Sequence, residues 1–96
     1  MMKNNIIKIL TEIIDLLNQT NWIKQANWYN IKLELIKKTD EKTPEFSLLL
    51  EEIDKSISGM GSFSDLPMKK EYSSIQWELS IKLGEIIKEY FNNLLK

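Results

Sequence analysis

A chain of 96 residues with 43% hydrophobic side chains and a net charge of −1 holds enough apolar material for one domain, residues 1–96, and not for two. It contains no His and no Cys, which removes the commonest general base near neutral pH, the thiolate nucleophile, disulfides and ordinary zinc sites. All 13 basic residues are Lys, so no guanidinium fork is present to grip phosphate or guanine.

The first predicted helix runs from about Asn5 to Asn18. Ile6, Ile7, Ile9, Leu10, Ile13, Ile14, Leu16 and Leu17 supply its apolar side, and Lys8, Thr11, Glu12 and Asp15 share the other face. Asn4 or Asn5 is placed to cap its start. The charges at Lys8, Glu12 and Asp15 interrupt any leader-like run, and no apolar stretch reaches the ~18 residues that a membrane span needs. A cytoplasmic protein with no membrane partner is the expectation.

A second helix is predicted over about Asn21–Lys38. Trp22, Ala26, Tyr29, Leu33 and Ile36 recur at helical steps, and Trp28, Ile31 and Leu35 form a second stripe beside them. At this spacing Trp22, Trp28 and Tyr29 read as core in preference to an aromatic ligand cage. The short Gln19-Thr20 link predicts antiparallel neighbours.

Thr43, Pro44 and Glu45 announce a third helix: a capping hydroxyl, a proline at the first helical position and an acid in the first turn. Phe46, Leu49, Leu50, Ile53 and Ile57 form its buried stripe, and Gly59 after Ser58 is a natural stop. The connector Gly59-Met60-Gly61-Ser62-Phe63-Ser64-Asp65-Leu66-Pro67 follows. Its glycines permit positive φ, and Met60, Phe63 and Leu66 are candidates to pin it to the core.

The last segment, Ser73–Leu95, carries two patterns. Ile75, Trp77, Leu79, Ile81 and Leu83 alternate with polar residues, as in a strand. The same residues fit a helix with the stripe Ile75–Leu79–Leu83–Ile86–Tyr90–Leu94 and a capping box at Ser73 and Gln76. A lone strand would have no partner, so one long helix is predicted and the fold class is all-α, a single-domain bundle of about four helices. On that helix Trp77 and Ile81 point away from the stripe. They either cover the end of another helix or the glycine loop, or form an exposed patch of the kind that marks partner sites.

Charge is unevenly spread. Residues 40–65 hold Asp40, Glu41, Glu45, Glu51, Glu52, Asp54 and Asp65 against Lys42 and Lys55. Such an acidic segment can steer a basic partner and argues against nucleic acid, which attracts basic patches. No catalytic set emerges. Glu51 and Glu52 project about 100° apart on a helix and do not converge. The glycine loop lacks the lysine of a phosphate-binding loop and follows a helix. Ser62 and Ser64 have no His to activate them. No enzyme activity, metal or cofactor is expected.

The octapeptide Gly59-Met60-Gly61-Ser62-Phe63-Ser64-Asp65-Leu66 resembles the signature of a family of small bacterial helical proteins of unassigned function, whose members carry Gly-Met-Gly-Ser-Phe-Asn-Asp-Leu after such a helix and a Trp-containing helix upstream. Here Ser64 replaces the Asn, and Ser58 stands where the family often has another Gly. Such proteins resemble the immunity proteins that accompany polymorphic toxins, including those of contact-dependent growth inhibition. The resemblance implies a protein that binds and neutralises a cognate toxin domain, a nuclease for instance, by occluding its active site or substrate surface. Glu45, Glu51, Glu52 and Asp54, with Asp65, Trp77 and Ile81, are the candidate partner-binding residues. Gly59, Met60, Gly61, Ser62, Phe63 and Asp65 are the candidate structural loop. When free, the protein is expected to be a monomer or weak homodimer. The rival expectation is a self-associating helical structural or adaptor protein built on Trp77 and Ile81.

Overall fold

In the computed structural model, which describes residues 2–59 and 61–94, four helices follow one another: α1 (Met2–Gln19), α2 (Ile23–Lys38), α3 (Pro44–Ile57) and α4 (Lys70–Leu94). α1 packs against α2 and α4, and α3 closes the ring by packing against the same two. α4 is 25 residues long, about 37 Å at helical rise, and nearly spans the 41 Å long axis of the molecule. No strand forms among the described residues, so the alternating pattern at 75–83 is helical. No helix among them is long and apolar enough to cross a membrane.

α1 buries Ile6, Ile9, Leu10, Ile13, Leu16 and Leu17 and leaves Lys8, Thr11, Glu12 and Asp15 in water. It starts earlier than its asparagines suggested, and both are exposed within its first turns. The capping group is instead remote. The Lys3 backbone N–H donates to Glu41 Oε1 at 2.7 Å, while Lys3 Nζ donates to the Thr39 carbonyl at 2.8 Å and the Lys37 carbonyl at 3.2 Å. One residue thus receives a carboxylate at the free amides of α1 and supplies a cation to the free carbonyls of α2, as the two helix dipoles favour.

Asn21 takes a left-handed conformation with φ 65°, and the Trp22 N–H reaches back to the Leu17 carbonyl at 2.8 Å, which ends α1 and delays α2 to Ile23. α2 buries Ala26, Tyr29, Leu33 and Ile36, with Trp22 half-buried beside them. Its second stripe does not enter the core: Trp28, Ile31 and Leu35 are exposed. α2 meets its two neighbours on one side only, so one stripe is all the packing uses.

α3 starts as its sequence specifies. The Thr43 side chain accepts the Phe46 N–H at 3.2 Å, and Pro44 opens the helix. Phe46, Leu49, Leu50, Ile53 and Ile57 are all buried. At the other end of the ring, Tyr90 Oη accepts the Lys42 N–H at 3.1 Å and lies 3.5 Å from Ser47 Oγ, tying α4 to the start of α3.

α4 begins at Lys70, three residues before the predicted capping box, and that box does not form. Ser73 Oγ donates to the Lys70 carbonyl, and Gln76 turns inward. Its amide donates to the carbonyls of Phe63 at 2.8 Å and Leu66 at 2.9 Å, with the residue only 5% exposed. The buried stripe is therefore Gln76–Leu79–Leu83–Ile87–Tyr90. The predicted stripe keeps Leu79, Leu83 and Tyr90, but Ile75 and Leu94 are exposed and Ile86 is half-buried.

Gln76→Ala should lower stability by about 2 kcal/mol, because two inward-facing carbonyls lose their donor, and lower the melting midpoint by roughly 10 °C. Thermal unfolding followed by circular dichroism measures this; an unchanged midpoint would mean water replaces the amide without cost.

Candidate functional site

The connector is a closed structure. Gly59 and Gly61 lie at φ +100° and +76°, where a side chain is strained even though a Cβ at either position would meet nothing within 4 Å. The Gly61 N–H donates to Asp65 Oδ2 at 2.9 Å, and Ser62 Oγ donates to the Gly59 carbonyl at 2.6 Å. Residues Phe63–Asp65 form a single 3-10 turn. Phe63 is buried edge-on against Tyr29, and Leu66 is half-buried on the core. Met60, the other predicted pin, lies outside the described residues. One oxygen of Asp65 is occupied in closing the turn, although the residue is exposed.

The turn from Gly61 to Leu66 separates two concavities. The first is a groove of about 330 Å³ between α3 and α4, lined by Asp54, Ile57, Ser58, Ser64, Trp77, Ser80, Ile81, Gly84, Glu85 and Lys88. Trp77, at 64% exposed, is the most open of the large hydrophobics among the described residues, and Ile81 one turn on is also exposed. Trp77 shares the groove with Ile57 and Ser58 at the end of α3 and with Ser64 of the loop, yet most of it stays open. It stands on the rim of a groove whose charged residues are Asp54, Glu85 and Lys88.

The predicted residues do not form a single surface. Asp54, Trp77 and Ile81 come together in the groove. At about 100° per residue, Glu45 and Glu52 lie on the opposite flank of α3 from Asp54, with Glu51 on the exposed crest between. Glu52 is held by Lys32 Nζ at 2.7 Å, so the acidic helix is split between a flank that faces α2 and one that faces α4. Asp65 stands apart in the loop turn.

Gly84 sits in the middle of α4, where glycine costs about 1 kcal/mol relative to alanine. Packing does not require it: an added Cβ would meet only Ile57 Cδ1, at an ordinary 3.7 Å. What glycine does at this position is keep the groove floor low beneath Trp77 and Ile81.

The second concavity is a cleft of about 400 Å³ between α2, α3 and the loop, lined by Lys24, Gln25, Trp28, Tyr29, Lys55, Ser56, Gly61, Ser62, Phe63 and Leu66. Local spacing gave no sign of it, since its walls come from three separate segments. At its base Tyr29 Oη lies 2.7 Å from Ser56 Oγ. Burial pushes the Tyr29 phenol up to about 12, with the Ser56 hydrogen bond working weakly the other way.

Three comparisons, with protein-family models, curated proteins and solved structures, yield no match to this chain.

Two expectations follow from these environments. Gly84→Ala should raise stability by about 0.5–1 kcal/mol, read by chemical denaturation; a loss would show that Ile57 cannot accept the methyl. The raised Tyr29 value makes the folded state hold its proton longer than the unfolded one. Stability is therefore intact below pH ~10 and is lost as pH climbs towards 12, by about 2 kcal/mol for this group. The wild-type unfolding free energy minus that of Tyr29→Phe, measured across pH 9–12, should fall by that amount. A flat difference would mean that the phenol titrates normally.

Proposed function

We propose that this protein is an immunity-type inhibitor that binds a cognate toxin domain through the groove between α3 and α4. The observation that carries the reading is the exposed Trp77–Ile81 pair beside a glycine that the helix does not need. A tryptophan left in water on a helix whose other face is buried gains most when a partner covers it, and such residues dominate binding energies. Asp54 and Glu85 flank the pair, and Glu51 lies nearby on α3. A partner segment carrying apolar side chains between Lys or Arg residues matches that surface, and a ring face of Trp77 can receive one of the cations. The charges speed encounter, and the aromatic contact lengthens residence. The resemblance of the glycine loop to proteins of the immunity class supports the same reading.

A second reading uses the same surface. Gly84 beside Ile81 would also let a second copy's α4 approach closely, giving a two-fold helical dimer.

The deciding experiment co-expresses this protein with the products of the genes that neighbour its own, each tested for toxicity to bacterial growth. Rescue of bacterial growth and a co-purifying complex are expected. Trp77→Ala should weaken that complex by about thirtyfold, equivalent to ~2 kcal/mol, without lowering the melting midpoint. Absence of both rescue and complex would overturn the proposal, and a concentration-dependent dimer lost in Trp77→Ala would support the self-association reading instead.

A further inference from the structure

The cleft on the other side of the loop has a different chemistry from the groove. Its charged lining residues are Lys24 and Lys55, and no carboxylate lines it. Among the described residues neither lysine enters an ion pair. Lys55 is notable because it belongs to the acid-rich segment 40–65, where Lys42 is the other cation. On α3, Glu51 and Glu52 stand one turn before Lys55, and Glu52 is engaged by Lys32, so Lys55 is the charged side chain that α3 contributes to the cleft.

The remaining polar groups in the cleft sort in the same direction. The Gly61 amide is satisfied by Asp65, Ser62 by Gly59, and Tyr29 and Ser56 by each other. The Gln25 side-chain amide and the Trp28 indole N–H have no hydrogen-bond partner among the described residues. Two ammonium groups, an indole N–H and one carboxamide are the free polar groups, a set dominated by donors. Trp28, Phe63 and Leu66 supply apolar wall around it. Trp28 is held in place as that wall: Lys32 Nζ lies 5.1 Å from its ring centroid, and Tyr29 meets it edge-on at 4.9 Å.

We propose that this cleft is a binding site for a small organic anion, with a phosphate or carboxylate head between Lys24 and Lys55 and an apolar body against Trp28, Phe63 and Leu66. A volume of about 400 Å³ lies within the range of small-ligand pockets. The head is recognised by charge-assisted hydrogen bonds. The body is recognised by burial against the aromatic wall. Lysine, unlike arginine, offers point charges without a fixed fork, so the site accepts either head and selects by charge and size. It stands on its own residues and does not depend on what the groove binds.

The test is an amide-resolved NMR titration of the full chain with phenyl phosphate, phenylacetate and benzyl alcohol. Saturable shifts at Lys24–Tyr29, Lys55–Ser56, Gly61–Phe63 and the Trp28 indole N–H are expected with one or both anions and not with the alcohol. The anion that binds more tightly identifies the preferred head. Lys24 and Lys55 are both exposed, so the double variant Lys24→Gln, Lys55→Gln should fold normally, and it should lose at least tenfold in affinity. Equal shifts with benzyl alcohol, unsaturable shifts spread over other lysines, or undiminished affinity in the double variant would each overturn the proposal.

Discussion

The pair of hydrogen bonds from the Gln76 amide to the Phe63 and Leu66 carbonyls is the constraint on which both concavities depend. A loop that crosses the end of a bundle has to bury some of its backbone, and each buried carbonyl needs a donor. Gln76 supplies two from one side chain. With those carbonyls fixed, Phe63 is set against Tyr29 and Leu66 against the core, forming one wall of the cleft. Ser64 is presented on the other side, into the groove. The internal bonds of the glycine turn hold Gly61 to Asp65 and Ser62 to Gly59, so the loop stands as a partition between its two surfaces.

Helix α3 was legible because its signals are local: Thr43, Pro44 and the spacing of Phe46, Leu49, Leu50, Ile53 and Ile57 operate within a few residues. The starts of α1 and α4 were not. Asn4 and Asn5 look like caps, yet the capping carboxylate is Glu41, far along the chain. Ser73 and Gln76 have capping-box spacing, yet Gln76 is drawn away by the loop, and its burial in place of Ile75 turns the stripe by one residue. Hydrophobicity alone ranks those two side chains the other way. Trp28, Ile31 and Leu35 have core spacing, but how many neighbours surround α2 is a property of the whole bundle. The separation of Trp77 and Ile81 from the helix core could be read from their phase. That Asp54 joins them while Glu45 and Glu52 do not depends on which flank of α3 meets α4.

The two concavities also explain how a chain with a net charge of −1 carries distinct surfaces. The groove gathers Asp54, Glu85 and Lys88 around exposed apolar side chains, and the cleft gathers Lys24 and Lys55 around an aromatic wall. The Lys32–Glu52 ion pair crosses from α2 to α3 and neutralises an acid beside the cleft. Because the flanks belong to the same rigid element, neither surface needs a loop of its own to hold its charges in place.

The clasp at Lys3 bears on the order in which the bundle assembles. α1 and α2 are joined by a tight turn at Asn21 and closed at their far ends by Glu41 and the carbonyls of Lys37 and Thr39. The whole clasp lies within the first 41 residues of the chain, ahead of α3 and α4. Short loops close at lower entropic cost than long ones, so the hairpin is the natural first unit, with α3 and α4 added to it. The groove, bounded by α3 and α4, needs both of these later elements in place. A partner seated there would bridge α3 and α4 and so would recognise only a bundle in which both are in place.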